Sequence, residues 1–164
     1  MYEVIIEKYK DRDKEEVIDL ILNIQKNEFG IPINLTSQPD LLKISEYYQT
    51  SNGNFWVVKM KDTIVGTISL LDIGNGQCAL RKMFVFKEYR GKEWGVGQKL
   101  MNHLIEWAIQ KRVKEIYLGT TEKFIAAQHF YKRNGFKEIR INELPKAFPV
   151  MEVDVKFYRY NLSC

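Results

Sequence analysis

Met83-Phe84-Val85-Phe86-Lys87-Glu88-Tyr89-Arg90-Gly91-Lys92-Glu93-Trp94-Gly95-Val96-Gly97-Gln98 is the stretch from which the rest of the chain can be read. An apolar, aromatic run suited to a β-strand gives way to a loop with three glycines, and the loop opens a long helix. Val96, Leu100, Leu104 and Ala108 recur every four residues, with Met101 and Ile105 beside them, so the pattern predicts an amphipathic helix over Gly95–Val113. A helix start presents unpaired backbone N–H groups and the positive end of the dipole, and both favour an anion. Gly95 and Gly97 remove side chains that would hold a phosphate away from those groups, while Arg90 and Lys92 add charge at the same place.

Two other phosphate loops are excluded by spacing. A Walker loop would need Gly-Lys beginning five residues after Gly91, where Val96 stands. A dinucleotide fingerprint beginning at Gly95 would need glycine at Leu100.

Outward from this stretch, Gln77–Val85 reads as the strand that feeds the loop. Before it, Phe55–Met60 and Thr63–Asp72 are β-rich and join at Lys61-Asp62 as a hairpin, and Gly74-Asn75-Gly76 turns into the next strand. Residues 2–8 give a first strand. Asp13 with Glu16 predicts a capped helix start, and Val17, Leu20, Ile21 and Ile24 share one face up to the break at Gly30-Ile31-Pro32. Ser37, with Pro39 and Asp40, predicts the start of a short helix reaching about Tyr48. After the long helix come a strand at Glu115–Thr120, a helix at Phe124–Asn134 closed by Gly135, a strand at Phe136–Ile141 and a final strand at Val153–Leu162. The order predicts one domain over residues 1–164, an α/β (α+β) fold with a mixed sheet and helices on its faces.

Composition narrows the function. With 45% hydrophobic and 28% charged residues, the 164-residue chain has an ordinary globular balance and enough length for one core. No apolar run reaches the ~18 residues of a membrane span, and the start has no signal-peptide core, so a cytoplasmic protein is expected. A net charge of +4 spread along the chain suits a polyanionic ligand, without the basic runs or motifs of nucleic-acid binding. Cys78 and Cys164, like His103 and His129, lack metal-ligand spacing, and no metal site is expected.

Two segments together carry a family resemblance. The loop Lys92-Glu93-Trp94-Gly95-Val96-Gly97 is similar to the coenzyme A pyrophosphate loop of the GNAT superfamily of N-acetyltransferases, [Q/R]-x-x-G-x-[G/A], with Lys92 in place of the usual arginine and Arg90-Gly91 just upstream. Ala126-Ala127-Gln128-His129-Phe130-Tyr131-Lys132-Arg133-Asn134-Gly135-Phe136 resembles the family's A-x-x-x-Y-x-x-x-G-F segment. The resemblance implies a GNAT fold, a mixed and mostly antiparallel sheet of about seven strands flanked by about four helices. It implies acetyl-CoA as cosubstrate and a primary amine of a small molecule, amino acid or peptide as acceptor, with no nucleic-acid or membrane partner.

Residue by residue, the resemblance implies backbone contacts to the pantetheine arm and thioester at Met83, Phe84 and Val85, and a phosphate cradle over Arg90, Gly91, Lys92, Glu93, Trp94, Gly95, Val96, Gly97 and Gln98. It adds a cofactor contact at Ala127. Tyr131 matches the general acid, since a phenol keeps its proton at neutral pH and can protonate a departing thiolate. The position where the family commonly carries a cofactor-binding asparagine is Phe124, so that contact is not carried over. Gln77, Cys78 and Ala79 stand where some members have a glutamate that acts as base, which leaves Glu28 or Asp72 as the candidate base, or water-mediated deprotonation with no dedicated base. Phe29, Ile31, Ile33, Tyr47 and Tyr48 are expected to line the acceptor groove. The exposed edges of such a sheet also give a route to a homodimer. The alternative is a non-catalytic module that binds or senses acyl-CoA on the same fold.

Overall fold

Strand β2 (Asn54–Met60) sits between two hydrophobic cores, because its alternate side chains point to opposite faces of the sheet. Trp56, Val58 and Met60 enter one core, and Phe55 and Val57 enter the other. In the computed structural model, which describes residues 3–162, β2 belongs to a seven-stranded sheet of order β1-β2-β3-β4-β5-β7-β6. The other strands are β1 (Val4–Lys8), β3 (Thr63–Gly74), β4 (Gln77–Val85), β5 (Glu115–Thr120), β6 (Lys137–Ile139) and β7 (Lys156–Asn161). Helices α1 (Lys14–Leu22) and α2 (Ile44–Tyr48) cover the Phe55 face. Helices α3 (Val96–Gln110) and α4 (Ile125–Arg133) cover the Trp56 face, α3 burying Val96, Leu100, Met101, Leu104 and Ala108. This is the mixed, mostly antiparallel sheet with four helices that the sequence predicts.

Several boundaries differ for local reasons. Asp13 does not cap α1; it closes a 3-10 turn by accepting a hydrogen bond from the Lys10 N–H at 3.1 Å. Glu16 instead accepts from the Ile64 N–H at 2.7 Å and pins α1 to β3. Ser37 caps no helix, because its hydroxyl and N–H bond to Asn34; a 3-10 turn at Pro39–Leu42 precedes the single short helix α2. Helix α3 stops before Val113, where Arg112 takes a left-handed φ of 58°. Strand β7 begins at Lys156 and not at Val153, because Asp154 accepts from the Met151 N–H in a turn. Tyr2 and Cys164 lie outside the described residues. No helix among the described residues is long and apolar enough to cross a membrane.

Candidate active site

Strands β4 and β5 run parallel, yet they pair only from Gln77–Ala79 to Glu115–Tyr117. Beyond Ala79 the two strands part, while on its other edge β5 stays paired with β7 along its whole length. The opening begins where β4 is itself distorted. Thr67 faces Phe84 and Ser69 faces Arg81, so β4 spends one residue more than β3 across this interval. Lys82 absorbs the bulge with a φ of 55°. Thr67 Oγ1 donates to the Lys82 carbonyl at 2.7 Å and Ser69 Oγ to the Arg81 carbonyl at 2.6 Å, so the bulge is fixed from the β3 side.

On the α3 side of the split lies a cleft of about 860 Å³, large enough for a cofactor-sized ligand. Met83, Phe84 and Val85 of β4 line it, as do Arg90, Gly91, Lys92, Gly95, Gly97 and Gln98 of the loop and helix start and Ala127 of α4. Gly95 takes a left-handed φ of 64° as the residue before α3, which leaves the first N–H groups of the helix without intrahelical partners. A Cβ on Gly97 would lie 3.8 Å from Met83 Cε and 3.9 Å from Phe130, filling the floor of this cradle. Arg90, Lys92, Lys99, Lys123 and Arg133 contribute five cations to the lining, and no Asp or Glu does. This donor set, with an open helix N-terminus, fits a pyrophosphate.

The side chains of three residues of the predicted cradle face elsewhere. Val96 is buried in the core beneath α3, Trp94 packs edge-on against Tyr89 with centroids 5.1 Å apart, and Glu93 is exposed outside the cleft lining. Trp94 therefore anchors the loop from behind. Arg90 is also more constrained than a free phosphate ligand. Its Nε donates to the Val85 carbonyl at 2.8 Å, its guanidinium lies over the Phe29 ring, and both terminal nitrogens donate to Glu28, Nη2 at 2.7 Å. The candidate base and the candidate phosphate ligand thus form one ion pair at the cleft mouth. Asp72 is far from this chemistry: it caps the β3–β4 turn by accepting from Asn52 N and Gly74 N. Phe124, at the start of α4, packs edge-on against Phe29 at 4.8 Å and Phe84 at 6.2 Å.

On the opposite side of the split is a smaller pocket, of about 80 Å³. Gln25, Ile31, Ile33, Arg81, Lys82, Phe148, Met151 and Asp154 contribute to it. Ile31 and Ile33 therefore line a pocket as expected, whereas Phe29 lines the larger cleft and Tyr48 is fully buried. Lys82 donates to Gln38 Oε1 and lies 3.6 Å from Asp40, which accepts from the Tyr48 hydroxyl at 2.6 Å. Gln38 and Gln25 exchange amide hydrogen bonds at 2.8 and 3.0 Å. This satisfied buried network ties the segment after α1 to the β4 bulge. Burial pushes the Lys82 ammonium down to about 8, against the pull of Asp40.

Tyr131 stands where the two spaces meet. It lines both, together with Met83, Phe84 and Phe124. Only 6% of it is exposed, and its ring packs among Phe130, Phe136 and Tyr158. Burial above all, then Tyr158 and Asp154, hold its phenol well above the ordinary value, so it carries a proton at neutral pH. A protonated hydroxyl thus lines both the larger cleft and the smaller pocket.

Sequence reasoning missed Arg81, Lys82 and Asp154. The signal for the first two was present: adjacent cations interrupt the apolar run of Cys78-Ala79-Leu80 and Met83-Phe84-Val85. Among the described residues no group of three or more His, Cys, Asp or Glu is placed to hold a metal.

Comparison with known proteins agrees with this geometry. A family model described as the acetyltransferase (GNAT) family matches residues 18–136. A crystal structure of a GNAT-family acetyltransferase from Staphylococcus aureus Mu50 superposes with a TM-score of 0.95 at 45% identity, covering 98% of this chain and 100% of that one. The probable N-acetyltransferase camello of Xenopus tropicalis is 31% identical over 128 residues, 76% of this chain and 58% of that protein. The N-acetylaspartate synthetase of the same organism is 34% identical over 108 residues, 63% of this chain and 38% of that protein. Those two relatives are longer, and the matches span only 58% and 38% of their lengths. The split sheet, the loop at the start of α3 and these matches lead to one assignment: the chain belongs to the GNAT family of acetyltransferases, whose cosubstrate is acetyl-CoA.

Proposed function

We propose that the chain transfers the acetyl group of acetyl-CoA to a primary amine of a small molecule, amino acid or peptide. The observation that carries this reading is the junction at Tyr131, where the cationic cleft opens onto a second pocket across the split of β4 and β5. The start of α3 and the cations Arg90, Lys92 and Lys99 would hold the pyrophosphate, and Met83, Phe84 and Val85 the arm and thioester. Acetyl-CoA supplies the activated acetyl group when bound. The exposed edge of β4 offers fixed backbone donors toward the carbonyl, which stabilise developing negative charge by several kcal/mol in a water-poor site. The acceptor nitrogen forms the C–N bond as the C–S bond breaks. Tyr131 gives its proton to the departing sulfur, and the nitrogen passes its surplus proton to a base. The name of the N-acetylaspartate synthetase relative supports a small amine as acceptor. Cys78 is a buried free thiol, in keeping with a cytoplasmic setting.

One observation favours the second reading, an acyl-CoA-binding module without turnover: the sequence's candidate base, Glu28, has both oxygens on Arg90. A thermal-shift comparison of acetyl-CoA, CoA and ATP tests the shared basis of both readings, since a ligand that binds only the folded state raises Tm. Both coenzyme A species should raise it while ATP does not. The absence of a shift with saturating acetyl-CoA would refute the reading.

A further inference from the structure

The smaller pocket holds two charges that the cofactor cleft does not explain. Arg81 extends from the β4 bulge into its wall, and Asp154 from the turn before β7. The Arg81 guanidinium donates to the Tyr47 hydroxyl at 3.0 Å and lies 5.7 Å over the same ring, and among the described residues no carboxylate pairs with it. Its neighbour Lys82 has Asp40 within ion-pair distance and Gln38 within hydrogen-bond distance, while Asp40 acts on Arg81 only from farther away. Buried charges are normally paired, since an uncompensated one carries a desolvation cost. Asp154 is in the complementary condition. Oδ2 accepts from the Met151 N–H at 2.9 Å, and no described residue donates a hydrogen bond to Oδ1. The two groups sense each other, Arg81 drawing the carboxylate toward its charged form, yet they form no ion pair. A guanidinium and a carboxylate thus line one small cavity with their hydrogen-bonding capacity unfilled.

Asp154 and Tyr131 line the same pocket, where the Asp154 carboxylate packs against Gly119 of β5, and its charge helps to raise the Tyr131 phenol. Apolar Ile31, Ile33, Phe148 and Met151 complete the walls. We propose that the acceptor is an α-amino carboxylate, held by its carboxylate on Arg81 and by its ammonium group on Asp154, with Asp154 as the base. Asp154 takes one proton from the ammonium, the freed lone pair forms the C–N bond at the thioester carbonyl, and the C–S bond breaks. Tyr131 supplies the proton to the sulfur, and the second nitrogen proton leaves to solvent once the amide has formed. Burial, which outweighs the pull of its neighbours, raises the affinity of Asp154 for a proton, as suits a base. A peptide terminus lacks the free α-carboxylate, so this reading selects free amino acids within the wider class of amines and rests on the transferase reading above.

The test compares wild-type protein on the twenty common α-amino acids and on their α-decarboxylated amines, following thiol release from acetyl-CoA. A polar site rejects analogues that leave its buried groups unpaired, so at least one amino acid should exceed its decarboxylated partner in kcat/KM by about 100-fold or more. Arg81→Gln should lower the amino-acid rate until that ratio falls within about threefold, with the acetyl-CoA thermal shift retained; Arg81→Lys should keep an intermediate ratio, as expected of a charge that loses its fork geometry. Asp154→Asn should lower kcat on both substrate sets. Equal rates for the amino acids and their decarboxylated partners would overturn the proposal while leaving the transferase reading intact. Acetyl-CoA binding with no consumption of any amino acid would overturn it as well. Loss of the wild-type acetyl-CoA shift would instead strike the transferase reading itself.

Discussion

Gly119 of β5 leaves the space that the Asp154 carboxylate occupies, and the Gly119→Ala variant tests what that placement contributes. An ideal Cβ at residue 119 would lie 2.7 Å from Asp154 Oδ2, 2.9 Å from its Cγ and 3.1 Å from Phe157 Cε1. Ordinary contact begins near 3.4 Å, so the carboxylate must withdraw by about 0.7 Å. That movement bends or breaks the 2.9 Å hydrogen bond from Met151 N and pushes Asp154 out of the pocket wall. Overpacking of this kind costs about 1–3 kcal/mol, which lowers Tm by roughly 2–12 °C in a chain of this size. A misplacement of about 1 Å at a reacting group costs on the order of 100-fold in rate, so kcat/KM for the acceptor should fall by about 10- to 100-fold. The acetyl-CoA shift should survive, because Gly119 lines the small pocket and not the cofactor cleft. Adding Asp154→Ala to Gly119→Ala removes the clash with the carboxylate and leaves the 3.1 Å contact with Phe157, so Tm should recover in part while activity stays low. Thermal melts and steady-state thiol release on the wild type and the two variants decide the matter. Full activity in Gly119→Ala with a lowered Tm would show that Asp154 has no part in the reaction.

Tyr131→Phe keeps the ring contacts to Phe130, Phe136 and Tyr158, so Tm should change by no more than about 3 °C, while kcat falls by about 100-fold or more for loss of the general acid; calorimetric Kd for acetyl-CoA should stay within about threefold. Glu28→Gln should alter the KM for acetyl-CoA through Arg90 and leave kcat within about threefold; a 100-fold drop in kcat would restore Glu28 as the base. Lys82 has a folded pKa of about 8 against an ordinary 10.5, so between those values the unfolded chain binds more protons and the contribution of this group to stability rises with pH. Urea unfolding at pH 8 and pH 10 should show the wild type gaining on Lys82→Met, by roughly 3 kcal/mol at most; a difference that is flat or shrinks with pH would contradict the burial of this ammonium.

Much of this molecule is legible in the order of its residues. The period of Val96, Leu100, Leu104 and Ala108 fixes a helix and its buried face, and the glycines before it fix where its N-terminus opens. Those are local properties, which is why Met83, Phe84, Val85, Arg90, Gly91, Lys92, Gly95, Gly97, Gln98 and Ala127 all appear along the cleft. Glu93, Trp94 and Val96 share the segment but turn their side chains away from the cleft, and a linear motif does not encode that direction.

The acceptor pocket was hidden for a different reason. Its shape depends on β4 spending an extra residue against β3 and on β5 parting from β4 after Tyr117, and both are facts of pairing between distant segments. Arg81 and Asp154 line one pocket only because of that pairing. Ser37 and Asp13 misled because each found a closer partner, Asn34 and the Lys10 N–H, than the helix start each seemed placed to cap.

The most direct test follows the acetyl group itself. Wild-type protein is mixed with acetyl-CoA and a panel of primary amines, and free thiol is counted while mass spectrometry identifies the acetylated product. Thiol release that requires an amine, one thiol for each amide formed, with Tyr131→Phe binding acetyl-CoA but turning over slowly, is the predicted result. Tight acetyl-CoA binding with no amide from any amine class would contradict the account and leave a module that holds acyl-CoA without transferring it.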